Sequence, residues 1–196
     1  MQTKNLDALQ EQVTDYYGKT LTQAADLQTN ACCLGSSAYT PQEAEALSKI
    51  HPEILKKFYG CGSPIPQAIE GCRVLDLGCG SGRDTYMAST MVGEEGYVIG
   101  VDMTEGQLEV AEKYKEYQRE ANGYKESNVE FKKGFIEDLK SIGIEDNSID
   151  CLISNCVVNL SGNKEQVFRE IWRVLKPGGE LYFSDVFSDR RIPQYL

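Results

Sequence analysis

One stretch of the chain limits its fold more than any other, because a short apolar run leads directly into three closely spaced glycines. The run is Val74–Leu77, and Gly78, Gly80 and Gly82 follow it before helix-compatible residues begin at Arg83. This pattern predicts a buried strand, a tight turn and the start of a helix. Glycines let the backbone turn sharply and let a ligand approach, and the first N–H groups of the helix face the same place. The stretch therefore predicts a site for a nucleoside-like ligand.

The spacing of the glycines and the charge beside them narrow the choice of ligand. Dinucleotide-binding folds use the pattern G-x-G-x-x-G and place a pyrophosphate at the helix N-terminus. Here the glycines alternate, and Asp76 precedes them with a carboxylate that would repel pyrophosphate and suit a cation. The segment Asp76–Gly82 resembles the first motif of the class I S-adenosylmethionine-dependent methyltransferases, in which the loop surrounds the positively charged methionine end of the cofactor. A glycine turn that binds nothing is the alternative.

The overall charge limits the partners of the 196-residue chain. A net charge of −10 argues against a nucleic-acid partner, which would require a basic face, and favours small neutral or cationic substrates. We expect no secretory leader, and no apolar run is long enough to span a membrane. The expected protein is a cytoplasmic monomer with a small-molecule substrate and no nucleic-acid or membrane partner.

The first part of the chain predicts helices joined by a cysteine-bearing loop. Leu6–Tyr17 and Pro41–Tyr59 have apolar residues at helical spacing, and the later stretch contains a second proline that starts another helix. The small, polar segment between them contains Cys32–Cys33. We expect residues 1–70 to form an N-terminal helical cap and residues 71–196 to form the methyltransferase core.

From Arg73 onward, apolar strands alternate with helical stretches. Helices are predicted over Thr104–Ala121, which opens on a capping box with Gln107, and over Lys164–Leu175. Strands separated by helices indicate a doubly wound, Rossmann-like α/β fold with a mainly parallel sheet and right-handed crossovers. The predicted strands are Arg73–Leu77, Tyr97–Asp102, Val129–Phe131, Ile149–Asn155 and Glu180–Val186.

Polar residues at the carboxyl ends of these strands are the candidate ligand contacts, because ligands bind there in such sheets. Asp102 ends the second strand, twenty residues after Gly82, where a carboxylate accepts hydrogen bonds from ribose hydroxyls. A solvated turn aspartate is the alternative. Ile136 and Glu137 follow the third strand, and the matching positions of methyltransferases face adenine, although such residues also commonly start a helix.

The fourth strand leads into Ser154–Leu160, a segment that lies beside the transferred methyl group in methyltransferases. Here the segment offers the thiol of Cys156, and Cys61 and the Cys32–Cys33 loop could reach the same edge of the sheet. Three thiolates would form a soft, trigonal site. The remaining cysteines are predicted to behave as small hydrophobic residues; they are Cys72, Cys79 and Cys151.

Four motifs together resemble the arsenite methyltransferases, and the similarity extends over most of the chain, from about Cys32 to Val186. The motifs are Tyr59–Gly62, Asp76–Asp84, Gly100–Thr104 and Ser154–Leu160. The resemblance implies that the catalytic, arsenic-binding or redox thiols are Cys32, Cys61 and Cys156, with Cys33 as the alternative to Cys32. The implied contacts with S-adenosylmethionine are Tyr59, Asp76, Gly78, Gly80, Gly82, Asp102, Met103, Ile136, Glu137 and Asn155.

The reaction implied by this resemblance is the methylation of thiol-bound trivalent arsenic, which detoxifies arsenite. The arsenic lone pair attacks the methyl group directly, so no base is needed, and a thiol pair reduces the oxidised product by forming a disulfide. We expect glutathione or thioredoxin as the thiol reductant. Members of the family continue past the fifth strand to a further cysteine, so we expect a truncated sheet and slow turnover. Two other functions stay open: a methyltransferase for a small organic acceptor, and a cofactor- or arsenic-binding fragment without turnover.

Overall fold

A computed structural model describes Val13, Tyr16, residues 39–60 and residues 62–188. The predictions for Cys32, Cys33 and Cys61, and most of the predicted helix over Leu6–Tyr17, therefore lie outside the described residues. The division of the chain at residue 70 stays a prediction.

Five parallel strands form one sheet. They are β1 (Arg73–Leu77), β2 (Tyr97–Asp102), β3 (Val129–Lys133), β4 (Ile149–Asn155) and β5 (Leu175–Ser184). Their order is β3-β2-β1-β4-β5, so the direction in which strands are added reverses between β1 and β4. The carboxyl ends of β1 and β4 thus form the crevice in which such sheets bind ligands. The predicted doubly wound parallel α/β fold is confirmed.

Within residues 39–60 and 62–188, six α-helices connect and cover the strands. They are α1 (Pro41–Ser48), α2 (Pro52–Lys56), α3 (Arg83–Val92), α4 (Glu105–Lys113), α5 (Lys115–Asn122) and α6 (Lys164–Val174). A capping box starts α1, in which the Thr40 hydroxyl accepts from the Glu43 N–H at 3.2 Å and Glu43 Oε2 accepts from the Thr40 N–H at 2.9 Å. None of the described helices is long and apolar enough to span a membrane.

The central strands are buried on both faces, which explains why their sequences are continuous apolar runs. On one face, Val74 and Val98 belong to a cluster with buried side chains of α1, α2 and α3. On the other face, Leu75 and Ile99 pack in a cluster with the inner side of α6. The two clusters hold helices against both faces of the sheet.

The helix predicted over Thr104–Ala121 is interrupted, which corrects the sequence-based expectation. It ends at Tyr114, where α4 gives way to α5. The Tyr114 ring stacks on His51 at a centroid distance of 3.8 Å and its hydroxyl donates to Glu53, so long-range packing competes with helix continuation there. The capping box predicted at Thr104 does not form. The Thr104 side chain makes no capping hydrogen bond with the helix, and the Thr104 N–H donates to Asp102 Oδ1 at 2.8 Å.

The fifth strand begins earlier than predicted and contains the turn that was expected to precede it. Ile149 pairs with Leu175, whereas Cys151 pairs with Glu180, so residues 176–179 form an irregularity within β5. Gly178 has a φ of +84°, a conformation that favours glycine. The Pro-Gly-Gly sequence therefore bends the strand and does not separate it from α6.

An aromatic surface lies where α6 meets β5, which is the edge strand next to β4 in the described sheet. The ring of Phe183 contacts those of Phe168 and Phe187, with centroids 6.2 and 5.9 Å apart. Trp172, on the same helix as Phe168, is 82% exposed. Single exposed apolar residues are ordinary, but adjacent ones form a patch that favours association.

Tyr86 joins α3 to α4 and provides a test of this packing. Its side chain is fully buried, and its hydroxyl donates to the Ala111 carbonyl at 2.5 Å. We expect Tyr86→Phe to lower the free energy of unfolding by about 1 kcal/mol, because the ring stays packed and one buried hydrogen bond is lost. Urea unfolding followed by circular dichroism measures the loss.

The matched control is Tyr124→Phe, since the Tyr124 hydroxyl makes longer bonds, 3.2 and 3.4 Å, from a half-buried position. Its loss should be smaller. Equal losses in the two variants would mean that the Tyr86 hydroxyl does not contribute as a buried group.

Candidate active site

A cavity of about 130 Å³ opens at the carboxyl ends of the strands. Its lining combines the glycine loop after β1, the ends of β2 and β4, and residues 57–60, which cover the sheet edge. The sequence-predicted residues that line it are Tyr59, Asp76, Gly78, Asp102, Met103, Ile136, Glu137, Asn155 and Cys156. The topology thus brings nine predicted positions from five segments to one place.

The three glycines of the loop have different positions. Gly78 lines the cavity with a φ of +72°, and a Cβ at this position would lie 2.3 Å from a methyl carbon of Val157. Gly80 and Gly82 are not among the residues that line the cavity. The Gly80 N–H donates to Asp102 Oδ2 at 2.9 Å, and Gly82 starts α3 so close to Phe131 that a Cβ would lie 3.0 Å from its ring. Gly80 and Gly82 therefore shape the loop and the packing of the helix.

Asp102 stands at the end of β2 with both carboxylate oxygens bound to backbone donors. Oδ2 accepts the Gly80 N–H, and Oδ1 accepts the Thr104 N–H at 2.8 Å. The residue is 9% exposed, and burial raises the pKa of its carboxyl although the backbone donors oppose the shift. The Asp102 carboxylate thus lies in the cavity wall with its direction fixed by the backbone of two neighbouring segments.

Asp76, at the floor of the cavity, is only 2% exposed. The Thr85 hydroxyl donates to its Oδ2 at 2.7 Å. Burial, followed by the charge of Asp84, raises the pKa of the Asp76 carboxyl to about 8, so it retains its proton at neutral pH. A cation placed in the cavity would favour the ionised form.

Asn155, at the end of β4, binds the segment that covers the cavity. Its Nδ2 donates to the Gly62 carbonyl at 2.8 Å and to Asp84 Oδ2 at 2.8 Å. A Cβ on Gly60 would lie 2.7 Å from the Asn155 side chain. Asn155 was predicted as a cofactor contact, and the structure places it both at the cavity and in the support of its wall.

The adenine-side candidates lie together beyond β3. Ile136 is buried in the core cluster that contains Leu139, and Glu137 Oε1 accepts from the Ser161 hydroxyl at 2.5 Å. Both residues line the cavity. They offer an apolar side chain and a carboxylate whose direction is set by Ser161.

Cys156 lines the cavity directly after β4 and is disulfide-bonded. Its φ of +59° is unusual for a residue other than glycine, and its N–H donates to the Ser184 carbonyl at 2.7 Å. In contrast, Cys72, Cys79 and Cys151 are free thiols. Burial raises the pKa of each of them, that of Cys151 to about 12, so they remain thiols at neutral pH, as the prediction of small hydrophobic residues requires.

Several lining residues were not assigned from the sequence. Asp84 belongs to the motif after the glycine loop, so its position in the sequence was a usable signal. Val157 lies in the segment expected beside the transferred methyl group, but its packing against Gly78 was not predictable, because it depends on the missing side chain of Gly78. The other unassigned residues of the wall include Phe58, Thr104, Gln107, Phe135, Leu160 and Ser161.

The strand order, the glycine loop after β1 and the acidic residue that ends β2 together define a Rossmann-like, class I methyltransferase fold. A sequence model described as a methyltransferase domain matches residues 69–195, which is well over half of the chain. The chain belongs to this methyltransferase-domain family.

Within this family, the chain is similar to arsenite methyltransferases. The human arsenite methyltransferase is 50% identical over 96% of this chain and 50% of its own length, and that of Aquipseudomonas alcaligenes is 50% identical over 96% and 54%. The crystal structure of an arsenic(III) S-adenosylmethionine methyltransferase from Chlamydomonas reinhardtii matches with a TM-score of 0.79 and 55% identity, covering 81% of this chain and 53% of that one. The chain spans about half the length of these relatives.

The raised pKa of Asp76 makes stability depend on pH. Because the native carboxyl has a pKa of about 8 and the ordinary value is 3.8, the contribution of Asp76 to stability falls as pH rises through this window. Asparagine keeps an acceptor for the Thr85 hydroxyl and cannot ionise. We expect Asp76→Asn to raise the free energy of unfolding of the cofactor-free protein at about pH 8 by about 1–3 kcal/mol.

Denaturant titrations at about pH 5, 6.5 and 8 measure this difference. The advantage of the variant should grow with pH. A difference that is constant or shrinks over this range would contradict the buried, protonated state of Asp76.

The close approach of Gly78 to Val157 gives a second test. We expect Gly78→Ala to destabilise the protein by about 2–4 kcal/mol, because it combines a positive φ with a methyl group that overlaps Val157. Gly80→Ala is the matched control, since Gly80 has a φ of +53° with nothing within 4 Å of a Cβ, and it should cost about 1 kcal/mol. Thermal unfolding measures both.

In the double variant, Val157→Ala should recover part of the loss caused by Gly78→Ala. Equal losses for the two glycine variants, without recovery, would rule out packing against Val157 as the reason for glycine at position 78.

Proposed function

We propose that this protein binds S-adenosylmethionine and transfers its methyl group to trivalent arsenic held by thiolates. The observation that carries the proposal is the composition of one cavity, in which Asp76 and Asp102 lie at the ends of β1 and β2 and Cys156 follows β4. The similarity to arsenite methyltransferases over 96% of the chain supports the choice of acceptor.

The cavity wall fits the proposed cofactor at several points. Asp102 would accept hydrogen bonds from the ribose hydroxyls, and Ile136 and Met103 would offer apolar contacts in the same cavity wall. Gly78 leaves the backbone exposed where a side chain would meet Val157. S-adenosylmethionine would supply a methyl group on a positively charged sulfur, and the buried carboxyl of Asp76 is the group whose ionised form such a cation favours.

Cys156 is the proposed acceptor-side thiol among the described residues, and Cys32 and Cys61 are its proposed partners. Sulfur ligands suit a soft centre such as trivalent arsenic. Thiol-bound arsenic has a lone pair and no proton to remove, so no general base is required, and the described residues of the cavity wall include no histidine. The contribution of the chain is then to hold the acceptor close and to exclude water, effects that reach about 7–11 kcal/mol in favourable cases.

A thiol cycle completes the proposal. Methylation oxidises arsenic, and two thiolates that return two electrons to it become a disulfide, which a reductant such as glutathione or thioredoxin would reduce again. The disulfide bond of Cys156 supports this cycle, because the cycle requires an oxidised thiol pair. We also propose a cytoplasmic monomer, in agreement with the reducing conditions under which the thiols would be regenerated.

Binding measurements on the reduced 196-residue chain test the proposal. We expect Asp102→Ala to weaken S-adenosylmethionine binding about 10- to 100-fold, because charge-assisted hydrogen bonds are lost. Cys156→Ser should weaken binding of a trivalent arsenical and leave cofactor affinity unchanged. Calorimetry measures the affinities, and separation of arsenic species after incubation with cofactor, arsenite and reductant measures turnover.

Cys151→Ser is the control, because Cys151 is buried inside β4 and does not line the cavity. It should leave both affinities as they are. Failure of the unaltered chain to bind either ligand would refute the proposed function, and equal effects of the two cysteine substitutions would show that unfolding is being measured.

A further inference from the structure

Arg83, the first residue of α3, is 3% exposed and does not itself line the cavity. Its Nη1 donates to Asp84 Oδ1 at 2.7 Å and to the Gly62 carbonyl at 3.2 Å, and its Nη2 donates to the Tyr39 hydroxyl at 2.7 Å. The guanidinium carbon lies 4.0 Å from the centre of the Phe58 ring. One side chain thus contacts three residues that precede β1 in the sequence, Tyr39, Phe58 and Gly62.

The carbonyl of Gly62 is held from two sides. Arg83 approaches it from α3, and Asn155 Nδ2 approaches it from the end of β4 at 2.8 Å. The same Asn155 nitrogen also donates to Asp84 Oδ2, so Asp84 joins the two donors through its two oxygens. Arg83, Asp84 and Asn155 thus form a closed hydrogen-bond network around the Gly62 carbonyl, which we call the Arg83 network.

The Arg83 network provides charge and fixed hydrogen-bond directions, which an apolar contact would not provide. A buried ion pair seldom stabilises a fold more than well-packed apolar residues of similar size, because both charges lose their hydration. Burial indeed raises the pKa of Asp84, and the Arg83 charge is the main opposing influence. The planar fork of arginine meets Asp84, Gly62 and Tyr39 in fixed directions, which a lysine ammonium on a flexible stem does not reproduce.

We propose that Arg83 is a positioning residue for Cys156, the described thiol of the proposed acceptor site. This inference rests on the proposed function, in which Cys61 and Cys156 contribute to the acceptor site. Asn155 directly precedes Cys156 in the sequence, and Gly62 directly follows Cys61. Arg83 binds the same Asp84 carboxylate and the same Gly62 carbonyl that Asn155 Nδ2 binds, so it fixes the Asn155 side chain and thereby the start of the turn at Cys156.

The test compares Arg83→Met and Arg83→Lys with a matched control. Arg173→Met removes a similar set of contacts from α6, outside the cavity wall: Arg173 binds Asp146 at 2.6 Å, Glu170 at 2.7 Å and the Ile144 carbonyl at 2.9 Å. For each reduced full chain, calorimetry gives the Kd of S-adenosylmethionine and the Kd of phenylarsine oxide, a trivalent arsenical. Thermal midpoints are recorded alongside, and Cys156→Ser defines arsenical binding by other thiols.

We expect Arg83→Met to weaken phenylarsine oxide binding at least about tenfold and to weaken S-adenosylmethionine binding by a clearly smaller factor, because Asp102 and the glycine loop keep their contacts. Arg83→Lys should show a smaller loss, because it keeps the charge and not the fork. Arg173→Met should lower the thermal midpoint and leave both Kd values unchanged.

Two results would overturn the inference alone: unchanged arsenical binding by Arg83→Met, or parallel losses of both ligands that follow the thermal midpoint. If the unaltered chain binds no more arsenical than Cys156→Ser does, the proposed acceptor site itself is wrong, and this inference falls with it.

Discussion

The shape of the cavity depends on the two backbone hydrogen bonds that the Asp102 carboxylate accepts. One of its oxygens accepts the N–H of Gly80, in the loop after β1, and the other accepts the N–H of Thr104, at the start of α4. The loop contains positive φ angles that few residues other than glycine adopt, and glycine also gives it the greatest freedom to move. A carboxylate on the neighbouring strand therefore supplies the fixed points that the loop sequence lacks. Backbone donors in turn compensate a charge that burial disfavours.

The cavity contains more acidic groups than a protein interior usually accepts. Asp76, Asp84 and Asp102 are all nearly buried, and Arg83 is the cation paired with Asp84. Asp76 avoids a buried charge by holding a proton, and backbone donors partly compensate the charge of Asp102. This arrangement is costly in the absence of a ligand and becomes favourable when a positive charge enters. The buried carboxyl groups that destabilise the empty protein are thus the groups that would favour a cationic small molecule, and functional sites often combine these two effects.

Much of the fold was predictable because strands buried on both faces are continuous apolar runs, as in Val74–Leu77. The loop after β1 was predictable because its glycines are a local signal. The break at Tyr114 was not, since it depends on stacking against His51. The second role of Asn155 was hidden for the same reason, because its partner Gly62 is 93 residues away. Sequence patterns show what a residue prefers locally, whereas contacts between distant segments decide which of these preferences is realised.

The exposure of Trp172 has a spectroscopic consequence. It is the single tryptophan of the chain, and it lies 82% exposed in the aromatic surface of α6 and β5, outside the cavity wall. Indole emission from this protein is therefore that of a water-exposed fluorophore, open to collisional quenchers. The emission wavelength reports on whatever covers the aromatic surface of α6 and β5, such as a neighbouring polypeptide, and is insensitive to the polarity of the cavity.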